Sequence, residues 1–407
     1  MKKLSFLHII WILLALCAGP VNAFEAGDIE IHGFISQGYL LSDHNNYMAD
    51  TEDGTFQFNE TGLSFGTELT DQLRVSLQVF SRDLGDSGNN DVVLGYAYGD
   101  FRWQNWLGIR AGKIKIDYGL YNETREMDML RTGVMLPQSV YPEVWRDSVS
   151  NLSGAGLYGF APAGAAGKFS YNFQIGAMEF DANKGFTRSL SPRLEDTLTL
   201  TDMESDYAWF ASLQWDTPLP GLKMKGSYYS IDGLTAEGNM TGMTPEGNAV
   251  SMQAAYDFQD KYGYILSGEY TWKNLVVSAE YSEDSFEFDT VFTGEMQMAP
   301  NRGMDITSQG WYVSAAYRFT DWFESALSYS EYYPDKDDKD GDRKPPEMAF
   351  TSWLKTTTLS TRFDINENWI FKLEGSYNDG FGGVNLADNK ELEPYWWMFA
   401  AKVTFSF

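Results

Sequence analysis

Near its end this chain places Trp397, Phe399, Ala401, Val403, Phe405 and Phe407 at every second position, with Met398, Ala400, Lys402, Thr404 and Ser406 between them. A two-residue period puts one set of side chains on each face of a β-strand and cannot form one stripe on a helix. The same period returns at Leu73, Val75, Leu77 and Val79, at Leu275, Val277, Ala279 and Tyr281, and at Trp369, Phe371, Leu373, Gly375 and Tyr377. After Ala23 no apolar run is long enough for a spanning helix. The chain must therefore build its structure from strands that are apolar on one side and wet on the other.

The connections come in two kinds. Some are very short: Thr70-Asp71-Gln72, Gln104-Asn105, Thr320-Asp321, and Asp364 to Asn368. Others are long, polar and acidic: 42–54, 116–151, 181–204, 232–260, 286–305, 335–349 and 379–393, with a lesser one at 83–90. Short and long alternate, as do the periplasmic turns and outer loops of a membrane barrel. Strands are expected at 30–41, 55–69, 73–82, 91–103, 106–115, 152–161, 167–180, 205–216, 221–231, 261–271, 275–285, 306–319, 322–333, 350–363, 368–378 and 394–407. That count is even, as a bacterial single-chain barrel requires. Ala249–Phe258 also reads as a strand, but a further crossing would put the C-terminus outside. It is therefore expected within a long loop, as part of an extracellular hairpin.

Aromatics collect where strands meet short turns: Trp103 and Trp106, Trp215, Trp272, Phe319 and Trp322, Phe363 and Trp369, Phe407. Such rings suit a membrane interface. A soluble propeller would show a blade repeat, and none is seen. With 16% aromatics the chain is not disordered despite a net charge of −27. That charge also argues against nucleic acid as a partner. The fold class expected is all-β: a transmembrane antiparallel barrel of sixteen strands with long external loops and short periplasmic turns.

Residues 1–23 read as a cleaved secretory signal, with Lys2 and Lys3 ahead of an apolar run and Ala23 at the cut. Lipidation at Cys17, the single cysteine, is disfavoured by the bulky Leu16 before it. Residues 24–407 form the barrel domain. After cleavage no thiol remains, and His32 with Ser36 on one strand face has no third partner, so no catalytic residues and no enzyme activity are expected. Neither metal nor cofactor is assigned. The acidic stretch 335–349 fails as an EF-hand, since Lys336 takes the first ligand position and Pro345-Pro346 breaks the following helix. A looser cation site there stays open.

Taking the alternation at face value, the basic lumen wall comprises Arg74, Arg82, Arg110, Lys223, Lys225, Arg318, Arg362 and Lys372, with Glu60, Glu68, Glu269, Glu280, Glu324 and Glu374 among them. Charges on the lipid side would cost a few kcal/mol each near the midplane, so these face water.

The signal segment, the alternating connections, Ile31-His32-Gly33-Phe34, Gly154-Ala155-Gly156-Leu157-Tyr158-Gly159 and the last strand ending in Phe407 resemble the Gram-negative outer-membrane porins of the sixteen-stranded trimeric type. The resemblance implies a homotrimer in outer-membrane lipid, and a terminal Phe407 read by the barrel-assembly machinery. It also implies that the third external loop, 116–151, folds inward. The acids of that loop, Asp117, Glu123, Glu126, Asp128, Glu143 and Asp147, would then face the basic wall at a constriction, with Met129-Leu130 as an apolar anchor. The function expected is passive diffusion of small hydrophilic solutes and ions, with a mild cation preference. The alternatives are a substrate-specific channel for an anion, a sugar or an aromatic acid, and a non-conducting structural or adhesive barrel.

Overall fold

The computed structural model describes residues 29–85, 87–180, 198–243, 249–294, 301–383, 389 and 391–407; the expected signal segment lies outside them. The wall begins with β1 (Glu30–Ser42), β2 (Phe58–Thr70), β3 (Leu73–Leu84), β4 (Val92–Gln104), β5 (Leu107–Lys115), β6 (Asn151–Pro162) and β7 (Lys168–Ala177). It continues through β8 (Leu198–Glu204), β9 (Tyr207–Asp216), β10 (Leu222–Asp232), β11 (Leu234–Met243) and β12 (Ala249–Trp272). It ends with β13 (Leu275–Gly294), β14 (Asn301–Thr320), β15 (Phe323–Tyr333), β16 (Leu354–Asp364), β17 (Trp369–Gly380) and β18 (Tyr395–Ser406).

Every pairing is antiparallel, and β1 closes on β18 from Phe34↔Ser406 to Ser42↔Met398. Closure removes the edges that β1 and β18 would otherwise turn toward lipid. The eighteen segments make sixteen wall strands. Segments β8 and β9 continue one another across Ser205-Asp206, and β10 and β11 continue across Gly233. Gly233 has a φ of 64°, and a Cβ there would lie 2.5 Å from the Asp206 carboxylate, so the break needs glycine.

Two expected loops are largely strand. Ala249–Phe258 is not a separate crossing: it is the outer half of β12, paired with β11 on one side and β13 on the other. The parity problem disappears because one strand of 24 residues runs about 80 Å, far more than a bilayer needs. Likewise β13 and β14 carry the wall through most of 286–305.

On β18 the alternation separates two environments. Trp397 and Phe399 are exposed on the outer face, while Trp396, Met398, Ala400, Lys402 and Thr404 are buried inside. At the short-turn end Trp103, Trp106, Trp272, Phe319, Trp322, Trp369 and Phe407 all lie exposed. Phe319, Phe323, Phe363 and Phe371 follow one another around the wall with centroids 5.3–6.2 Å apart. The inner face is wet only in part. Phe210, Tyr229, Ile231, Phe258 and Ile265 form a buried apolar cluster with Ile116, Tyr118, Leu136, Val140 and Tyr141 of the loop after β5. That loop enters the barrel, and burying its apolar side chains there is favourable in proportion to the area taken from water.

Candidate functional site

Between Lys115 and Asn151 the chain crosses the lumen and is held to strands on all sides. Leaving β5, it places Asp117 against Lys225 of β10 and 2.6 Å from the Ser212 hydroxyl of β9. The Leu120 N–H donates to Glu280 of β13 at 2.9 Å, and Glu280 also accepts from Tyr141, Tyr312 and Ser267. Four donors on one buried carboxyl group satisfy its oxygens inside the barrel.

The far end of the loop reaches the last two strands. Asp128 pairs with Lys372 of β17 at 3.0 Å, accepts from Thr404 of β18 at 2.8 Å, and lies 3.6 Å from Lys402. Burial works against its charge, but Lys402, Lys372 and Arg131 outweigh that and hold the Asp128 carboxyl below the ordinary range. Beyond it Glu374 accepts from the N–H groups of Val134 and Met135, and Thr132 donates to Glu324 of β15. Arg362 of β16 donates to the Met129 carbonyl.

The returning limb is ionic. Glu143 is paired with Arg82 of β3 at 2.9 Å and with Arg125 at 3.1 Å. Arg146 reaches Glu60 of β2 at 2.6 Å, and Glu60 also binds Lys402. Burial opposes the charge of Glu143, and Arg125, Arg146 and Arg82 reverse that and lower its pKa. The loop backbone also lies directly on the wall: a Cβ at Gly310 of β14 would sit 1.8 Å from the Ser139 carbonyl.

Most of the residues singled out in the sequence fall into these pairs. Asp147 joins Glu143 on Arg82, Glu126 pairs with Lys115, and Glu123 lies 3.3 Å from Arg110, which also holds Asp100. Lys223 pairs with Glu269, and Arg318 with Glu324 and Asp364. Arg74 stands apart from the loop, paired with Glu30. The loop acids thus sit in direct contact with wall cations instead of facing them across open space. The apolar anchor expected of Met129-Leu130 is not what holds the loop: Leu130 is 62% exposed, and the bonds around it are polar. Phe407 closes the ring, its backbone N–H donating to the Gly33 carbonyl at 3.0 Å. His32 is exposed, while the Ser36 hydroxyl is turned to the Glu60 carbonyl. In the stretch 335–349, Asp335 pairs with Arg343 and Lys336 with Glu283, and Asp338 accepts from the Arg343 N–H.

A cavity of 320 Å³ remains between the loop segment Leu130–Gln138 and strands β13–β17. Its wall is rich in hydroxyls, among them Ser314, Ser328, Thr358 and Ser376, which charge-based reading of the sequence passes over. Their signal was present: they share the two-residue phase of Arg318, Arg362 and Lys372.

No protein-family model matches the sequence, and no curated protein matches it. Solved structures match in fold. OmpF of Salmonella typhi, in complex with daunomycin, is similar over 93% of this chain and 97% of its own, with a TM-score of 0.55 and 13% identity. The outer-membrane channel DcaP of Acinetobacter baumannii is similar over 95% and 100%, at 0.54 and 12%. The anion-selective porin from Comamonas acidovorans is similar over 93% and 99%, at 0.54 and 10%. At such identities the likeness is one of fold: the chain is a closed barrel with the fold of the outer-membrane porins.

Proposed function

We propose that residues 24–407 form a porin of the bacterial outer membrane, exported by the signal at 1–23 and assembled as a homotrimer after the assembly machinery reads Phe407. Small hydrophilic solutes and ions diffuse through it down their gradients. The observation that carries this reading is the inserted loop: it fills part of the lumen and leaves a cavity of 320 Å³, with hydroxyls in its wall, on the β13–β17 side. In this reading the loop acids Asp117, Glu123, Glu126, Asp128, Glu143 and Asp147 fix the constriction, and the wall cations are their counter-charges.

Cation preference is mild. The chain carries 57 acids against 30 Lys and Arg, and Asp337, Asp340 and Asp342 of the outer loop are exposed, which enriches cations at the mouth. Inside, most of the charge is already paired. An anion channel needs a run of unspent cations, and Lys225, Arg318, Arg362 and Lys372 are each held by an acid or a carbonyl.

Planar bilayers with the purified protein test the reading. Stepwise conductance in KCl, with a zero-current potential of cation sign under a salt gradient, is the expected result. An anion sign removes the selectivity, and the absence of steps removes the channel in favour of a structural barrel. Cross-linking in native membranes reads the trimer.

A further inference from the structure

The loop faces an unusual stretch of wall. Strand register places Ser278, Ser314, Ser328, Thr358 and Ser376 in one unbroken row across β13, β14, β15, β16 and β17. Directly outward, the next row holds Ser330, Thr356 and Asn378. Neighbouring strands stand about 4.8 Å apart, so the hydroxyls form a continuous lattice. Some already bond across strands: Thr358 with Ser376 at 2.9 Å, and Thr356 to the Asn378 side-chain amide oxygen at 2.8 Å.

The charged groups around this lattice are spent. Glu374 accepts from Ser360 and two loop N–H groups, Glu324 is held by Thr132 and Arg318, and Glu269 by Lys223 and Tyr121. Arg131 donates to the carbonyls of Arg125 and Val134. An ion crossing here meets few unspent charges. A second observation points to a solute: Asn378 is 3% exposed and lines the cavity, yet its amide nitrogen has no hydrogen-bond partner. A buried donor left unmade costs about 1–3 kcal/mol, and a swing of the amide into the cavity toward a passing acceptor would relieve it. The opposite edge is apolar, formed by Leu130, Met135 and Pro137 of the loop.

We propose that the constriction is a transit site for neutral polyhydroxylated solutes of monosaccharide size, with the solute hydroxyls on the lattice and its C–H face toward the loop. The inference rests on the channel reading above and names its substrate class. A hydroxyl both donates and accepts, so the lattice accompanies such a solute in many orientations, while gluconate must give up hydration facing the Glu269, Glu324 and Glu374 carboxylates.

The test is flux through reconstituted wild-type protein and two variants, Ser328→Ala/Thr358→Val/Ser376→Ala and, separately, Asn378→Leu, each confirmed as a folded barrel by its heat-dependent gel migration. Liposome swelling is expected to run faster in glucose than in gluconate. In each variant the glucose rate should fall about fivefold, the weight of one neutral hydrogen bond, a larger change than in KCl conductance. If the triple variant does not fold, Asn378→Leu carries the comparison. Glucose rates equal to wild type in folded variants, or gluconate outrunning glucose, would overturn the substrate class while KCl steps leave the channel standing. Absence of both KCl steps and swelling removes the channel reading and the inference together.

Discussion

Lys372 and Asp128 lie 244 residues apart in sequence and form an ion pair in which neither side chain is exposed. One belongs to the penultimate strand, the other to the inserted loop. Asp128→Asn keeps the shape and deletes the charge, leaving Lys372 and Arg131 crowded beside Lys402 with Glu60 as the acid still bound there. Breaking a buried pair from one side costs about 3–5 kcal/mol, whereas replacing both partners by apolar groups costs far less. Asp128→Asn should therefore lower the thermal midpoint in detergent clearly more than Asp128→Leu/Lys372→Met. Equal losses would show that the pair does not hold the loop.

The pH response has a definite sign. Burial opposes the charge of Asp128 and Glu143, but neighbouring cations hold both pKa values below the ordinary carboxylate range. A depressed carboxyl stabilises above its unfolded pKa, and the stabilisation fades as pH falls through the folded value. The share of loop anchoring that Asp128 and Glu143 supply should thus be fully present above their unfolded range near about pH 4 and fade as pH falls below it. Single-channel conductance against pH in wild type and Asp128→Asn checks this; a difference between the two that vanishes already between pH 7 and pH 5 would contradict it.

Gly310 permits the loop backbone to lie on the wall at Ser139. A side chain placed there meets a carbonyl oxygen at 1.8 Å, which no rotamer relieves. Gly310→Val should push this limb of the loop away from β14, raising conductance and its open-channel noise while the barrel stays folded. Unchanged conductance would place Ser139 outside the ion path.

Asp337, Asp340 and Asp342 bear on selectivity from the mouth alone. Converting all three to Asn should move the zero-current potential toward neutrality at low salt, and less so near 1 M, where the screening length is about 3 Å. A shift that is equal at both salt concentrations would locate the selecting charges elsewhere.

The wall was legible because its period and its turns agree. Trp397 and Lys402 sort to opposite faces by counting alone, and the short turns at Thr70 and Thr320 set where each strand begins. Ala249–Phe258 was legible as one arm of a hairpin, which it forms with β11, but parity does not register that this arm continues a wall strand that outruns the bilayer. Loop residues such as Asp117 and Glu143 could be marked as candidates, but not matched to partners. Pairing Glu143 with Arg82, or Glu280 with Tyr141 and Tyr312, depends on the loop's path in three dimensions, which no local pattern carries. The hydroxyl lattice needs strand register as well, since Ser328 and Thr358 become neighbours only once β15 and β16 are aligned.

The anchoring of Asp128 has a temporal consequence. Its partners Lys372, Lys402 and Thr404 lie on β17 and β18, up to 276 residues later in the chain. Such remote contacts form late in folding. Until the last two strands are in place, an incomplete barrel holds that end of the loop only through Glu324 and Arg362 and lacks the partners of Asp128. The narrow passage should thus come into being only with the final seam, making wall closure and the acquisition of a sieve a single event.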